Sequence, residues 1–162
     1  MIYWTDKVID GTRAKLPFHV FIKRAKSNQT NITSMLDAIL YSKEVFQSPG
    51  ILPSQCDRIV SALHMIQEPV RDLLDITARI PSPLSHLRYP LIRELHKVDS
   101  LLSDLTLLIP RFRADSQTIH QPLEQRHDIQ RKFDSLVQGY KDLSRELTML
   151  LEKAQFAGAA PR

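Results

Sequence analysis

His120, Glu124 and His127 stand at i, i+4 and i+7, a spacing that places all three on one face of an α-helix. Imidazole nitrogens and a carboxylate so arranged are ligands for a divalent metal, and Glu124-x-x-His127 is one half of the carboxylate-bridged di-iron pattern. No second Glu-x-x-His occurs in the chain. A polar, solvated helix end accounts for the same three residues. They stand as the metal candidate, and no cofactor is inferred from them.

The other chemistry-bearing residues are more scattered. His19, His64, His86 and His96 have no sequence-local partners, and His64 and His96 lie beside apolar stripes as boundary residues. Cys56 falls near the start of a helix, where the helix end lowers a thiol pKa, but the neighbouring Asp57 opposes that effect and predicts an inert thiol. The sequence contains no G-x-S-x-G, no paired-cysteine zinc pattern and no phosphate-cradling glycine loop, with only 4 glycines in all. No catalytic residue is assigned. An enzyme would have to assemble its groups by tertiary pairing.

Lys23, Arg24 and Lys26 lie beside Phe18, Phe21 and Ile22, an amphipathic arrangement suited to an anionic membrane or to nucleic acid. The alternative is a leader packed on the body through Trp4 and Phe21 with its charges in water. Ser48-Pro49 and Ser82-Pro83 are proline-directed phosphorylation motifs that also serve as helix ends.

The elements that position these residues follow from apolar spacing. A first helix is predicted from Ile32 to Gln47, capped among Thr30 and Asn31 and closed by Ser48-Pro49-Gly50; the polar run Ser27–Asn31 before it reads as a loop. A second follows Pro53 with Ser54 as N-cap, its stripe being Ile59, Leu63, Ile66, Val70, Leu73, Thr77 and Ile80. Pro69 should kink or split it. A third, Pro90 to Ile109, carries Leu91, Leu95, Val98, Leu102, Leu105 and Ile109, and Pro110 should stop it. The fourth, residues 119–156, is opened by a Thr118/Gln121 capping box. It repeats through Ile129, Phe133, Leu136, Tyr140, Leu143, Leu147, Leu150 and Ala154.

Alternating steps of three and four average 3.5 residues, which suits near-parallel helix packing. Short connections then make neighbours antiparallel. The expected fold is all-α: an up-down antiparallel bundle of about four helices, with a long C-terminal helix bearing a heptad-like seam. Residues 1–30 form a basic leader packed on or tethered to the bundle, 31–157 the bundle and 158–162 a disordered tail. At about 1.5 Å per residue the last helix outreaches the third, so it bends back or projects an apolar stripe.

Bulk properties frame the class. The chain has 162 residues, 43% of them hydrophobic and 25% charged, which is ordinary for one globular domain. Its net charge of +4 lies in residues 1–30, where six basic residues face two acidic ones; the remainder carries sixteen of each. A single cysteine precludes an internal disulfide, and no apolar run spans a bilayer. The N-terminus lacks a secretory pattern. A cytoplasmic or nuclear location is expected.

Leu16-Pro17 through Phe21-Ile22, followed by Met35-Leu36-Asp37-Ala38-Ile39-Leu40-Tyr41, resembles the opening of the cyclin box of fungal regulatory cyclins. The resemblance implies a regulatory helical domain. The core motif of the box and its acidic kinase-contact position do not follow downstream, and the long fourth helix is unlike that family's five compact helices. No site residue is carried over.

The residues therefore point to a non-enzymatic helical module that binds a protein partner, or a second copy, through helix 119–156. Tyr140, Leu143, Leu147 and Leu150 are the candidate contacts. The alternative is a peripheral membrane or nucleic-acid adaptor using Lys23, Arg24 and Lys26 within residues 1–26. No small-molecule substrate is inferred.

Overall fold

The computed structural model describes residues 14–48, 50–116 and 123–159. They form four α-helices: α1 (Phe18–Gln47), α2 (Pro53–Ala78), α3 (Arg88–Asp115) and α4 (Leu123–Ala159), with a 3-10 helix, Ser82–Leu87, between α2 and α3. No strand occurs among the described residues. α1 packs on α2 and α4, and α3 packs on the same two helices, so a helical bundle closes around one core.

The stripes that spacing predicts for the last three helices lie in the core, together with Phe21, Ile32, Ile39 and Phe46 of α1. Ile59, Leu63, Ile66, Val70, Leu73 and Thr77 of α2 are buried, as are Leu91, Leu95, Val98, Leu102, Leu105 and Ile109 of α3. Every member of the Ile129–Ala154 repeat is buried too. Helix α4 does not project a bare stripe. Leu84 of the 3-10 helix is 1% exposed, and that short helix packs on both α3 and α4.

α1 departs from expectation. It begins at Phe18, not Ile32, and the run Ser27–Asn31 is helical rather than a loop. Its inward face includes Ala25, Asn28 and Ser42, small or polar residues that hide the apolar period. Asn28 donates to Asp72 of α2 at 2.5 Å, so its burial leaves the amide satisfied. Thr30 and Ser34 donate their hydroxyls to the carbonyls of Lys26 and Asn31, which keeps a polar run compatible with helix. Residues 18–30, expected in a leader, are thus continuous with the rest of α1. Trp4 and the Thr118/Gln121 box lie outside the described residues, as do residues 160–162 of the expected tail.

Prolines also terminate less than expected. α2 runs unbroken through Pro69, which is buried, so of the two expected alternatives, a kink or a split, the helix is not split. α3 continues past Pro110 to Asp115, because the last turns have tertiary partners. Phe112 meets Phe46 edge-to-face at 5.4 Å, and Arg113 pairs with Asp57 at 3.0 Å. α2 is capped by Leu52 rather than Ser54: Pro53 occupies the first helical position and the Leu52 N–H donates to Gln55 Oε1 at 2.9 Å.

Polar bonds tie each neighbouring pair of helices. Arg24 of α1 pairs with Asp72 and, at 3.5 Å, with Asp75 of α2. Gln67 of α2 donates to Ser103 of α3 at 3.0 Å. Gln125 of α4 reaches Asp115 of α3 at 2.7 Å. Gln29 and Lys43 of α1 meet Thr148 (3.2 Å) and Asp134 (2.8 Å) of α4. The Phe46 carbonyl, one of the last acceptors of α1, receives Arg126 Nε at 3.1 Å together with Gln130 Nε2.

Cys56 is 2% exposed at the end of the bundle where α2 begins. Burial pushes its thiol up first and the Asp57 carboxylate adds to this, while Arg113 and a backbone hydrogen bond oppose it. Above about pH 8.5 the unfolded chain would release a thiol proton that the folded chain keeps, so this group's stabilisation falls as pH rises. In native buffer at pH 8 an aromatic disulfide should modify Cys56 on the order of 100-fold more slowly than in denaturant, since reaction waits for local opening. Equal rates would show that the thiol is open to solvent.

Candidate functional site

A groove of about 690 Å³ runs between α3 and α4. Its wall on α3 is Arg93, His96, Lys97, Ser100 and Leu101; its wall on α4 is Ser135, Gln138, Gly139 and Asp142. Gly139 explains the shape. An added Cβ there would lie 3.3 Å from Val98 Cγ2 and 4.0 Å from Leu101 Cδ1, so the absent side chain both lets the helices approach and leaves the trough unfilled. A glycine inside a long helix is unfavourable by up to about 1 kcal/mol relative to alanine, which this packing offsets.

Charge is distributed unevenly around the groove. On α3, Glu94 is largely buried beside the rim, paired with Lys97 at 3.1 Å and Arg93 at 3.7 Å. One carboxylate thus sits beneath two exposed cations, and His96 is exposed beside them. On α4, Asp142 accepts Gln138 Nε2 at 3.0 Å and lies 3.6 Å from Arg145. Lys132 and Asp104 link the two helices at 3.7 Å beyond the groove. Small serine side chains stand on both walls, Leu101 and Gly139 form an apolar floor, and Arg93 and Lys97 stand at the α3 rim opposite Asp142 of α4. No hydrogen bond among the described residues joins His96 to Ser100 or Ser135.

The other candidates lie elsewhere. His120 is outside the described residues; Glu124 and His127 are exposed on the first turns of α4, where Gln125, Asp128 and Arg131 share a shallow depression with them. No group of three His, Cys, Asp or Glu side chains gathers as metal ligands among the described residues. Tyr140, Leu143, Leu147 and Leu150 are 1–6% exposed in the chain's own core. A partner cannot reach them in this conformation. Lys23 and Lys26 are exposed, whereas Arg24 is engaged by Asp72 and Asp75 and Phe21 is fully buried. The apolar half of the expected anchor therefore faces the bundle.

Spacing alone missed the groove, because its walls are polar residues flanking two stripes. An isolated glycine within the faultless repeat of α4 was the available signal. No helix among the described residues is long and apolar enough to cross a membrane. In comparisons with known proteins, no family model, no curated protein and no solved structure matches the chain.

Proposed function

We propose that this chain is a non-enzymatic interaction module that receives an elongated segment of a protein partner along the α3–α4 groove. The single observation that carries this reading is the groove beside Gly139, where two long helices offer apolar floor, small polar walls and a basic rim together. The framework we infer is an up-down antiparallel bundle with the Ile129–Ala154 repeat as its internal seam. Contacts whose numbers run in opposite directions support it: α2 residues 57, 67 and 71 meet α3 residues 113, 103 and 99. Likewise, α1 residues 29 and 43 meet α4 residues 148 and 134. Helix α4 contributes its outer face to the partner and its repeat to the core.

Replacing Ser135 by tyrosine fills the trough from an exposed position, so it should leave stability within about 0.5 kcal/mol of wild type. Partners isolated quantitatively with the wild-type chain should be lost with this variant and retained with Met65→Arg, a change at an exposed site on α2. Identical recovery with all three proteins would remove the groove from the function.

The second reading, an adaptor for anionic surfaces, is supported by exposed Lys23 and Lys26 and by the lack of any acidic residue from 14 to 36. Co-sedimentation with vesicles rich in anionic lipid that is lost in the Lys23→Glu/Lys26→Glu double variant would favour it over the groove.

A further inference from the structure

The geometry points to Ser82 as a phosphoacceptor for a proline-directed kinase, with the resulting phosphate held by Lys15. This goes beyond the groove reading and stands independently of it. Ser82 and Pro83 are both exposed at the start of the 3-10 helix, and the preceding Pro81 is extended with φ −67° and ψ 153°. An exposed hydroxyl with proline immediately after it is the acceptor pattern such kinases read.

A cation is already in place. Lys15 Nζ donates to Ser82 Oγ at 3.0 Å from 67 positions away in the chain. Two further bonds fix that approach: Leu16 N–H donates to the Arg79 carbonyl at 2.8 Å, and Arg79 Nε donates to the Ala14 carbonyl at 3.1 Å. No carboxylate stands next to Ser82 in the chain: residues 76–93 are free of acidic side chains, and the acids that bound them, Asp75 and Glu94, pair with Arg79 at 3.8 Å and Arg93 at 3.7 Å. Ser48, the other serine followed by proline, lacks this setting. Its hydroxyl turns back to the Glu44 carbonyl at 3.4 Å.

The kinase would transfer the γ-phosphoryl group of magnesium-bound ATP. A bond forms between Ser82 Oγ and phosphorus, the bridging bond to the β-phosphate breaks, the hydroxyl proton passes to the kinase's base, and ADP leaves. The product carries about −1.5 to −2 charges at neutral pH. The hydrogen bond from the Lys15 ammonium to a neutral hydroxyl then becomes an ion pair with a doubly acidic phosphate, which is stronger and shorter. Residues 14–17 are thereby clasped to the α2–α3 connection, so modification tightens this end of the bundle.

The test treats the full chain with a proline-directed mitogen-activated kinase and magnesium-ATP, maps phosphate by mass spectrometry and compares Tm before and after. Ser82→Ala and Lys15→Met alter exposed side chains and should fold normally. The expected result is phosphate on Ser82, none at that site in Ser82→Ala, and a Tm rise of about 3 °C that Lys15→Met abolishes. No incorporation, or phosphate confined to Ser48, overturns the assignment of the acceptor. A Tm that is unchanged or lowered, or a rise that survives in Lys15→Met, overturns the clasp.

Discussion

Replacing Phe46 by alanine should lower the free energy of unfolding by about 4 kcal/mol, at the upper end of what a single truncation costs. Phe46 is 0% exposed and its ring joins three helices: it lies 5.4 Å from Phe112 of α3 and 5.8 Å from Phe133 of α4. Alanine removes both aromatic contacts and leaves a void that the surrounding helices can only partly close. The backbone carbonyl that accepts Arg126 and Gln130 is retained, so the loss reports the side chain. In a thermal melt the shift should be about 10 °C downward for a chain of this size. Phe156→Ala is the matched control, because that ring is 81% exposed and its truncation should change stability by no more than about 0.5 kcal/mol. Urea denaturation followed by circular dichroism measures both. A Phe46→Ala loss below about 1 kcal/mol would mean that the ring is not packed as described.

The second large effect separates an internal seam from an interface between copies. Leu147 is 1% exposed within a single chain, flanked on its face by Leu143 and Leu150. Leu147→Ala should therefore cost about 3 kcal/mol of intramolecular stability. Tm of both wild type and variant should be independent of protein concentration over a hundredfold range, since mass action moves Tm only when association accompanies folding. Sedimentation should give a monomer for each. A Tm that climbs with concentration in wild type and loses that slope in Leu147→Ala would return the seam to intermolecular use.

Helix α1 shows where reading by hydrophobicity stops. Its stripe passes through Asn28 and Ser42, polar residues that hydrophobicity does not mark as inward-facing. Asn28 is inward because Asp72, forty-four residues later, receives its amide. Pro110 shows the same limit from the other side. Proline disfavours helix interiors by about 3 kcal/mol, yet Phe112 and Arg113 beyond it have partners at Phe46 and Asp57 that hold the last turns in place. Local signals priced the proline correctly and could not see what lay across the core.

The candidate site divides in the same way. The amino-acid sequence by itself determined which faces of α2, α3 and α4 turn inward, because a step of three or four residues is a property of each helix alone. Tertiary structure alone decided that the Tyr140–Leu150 stripe is covered by the chain's own helices, that Arg24 pairs with Asp72, and that Gly139 opposite Leu101 leaves a groove. Those outcomes depend on which helix lies opposite which, at what height. Such pairings join residues many turns apart, and nothing in the period of a single stripe encodes them.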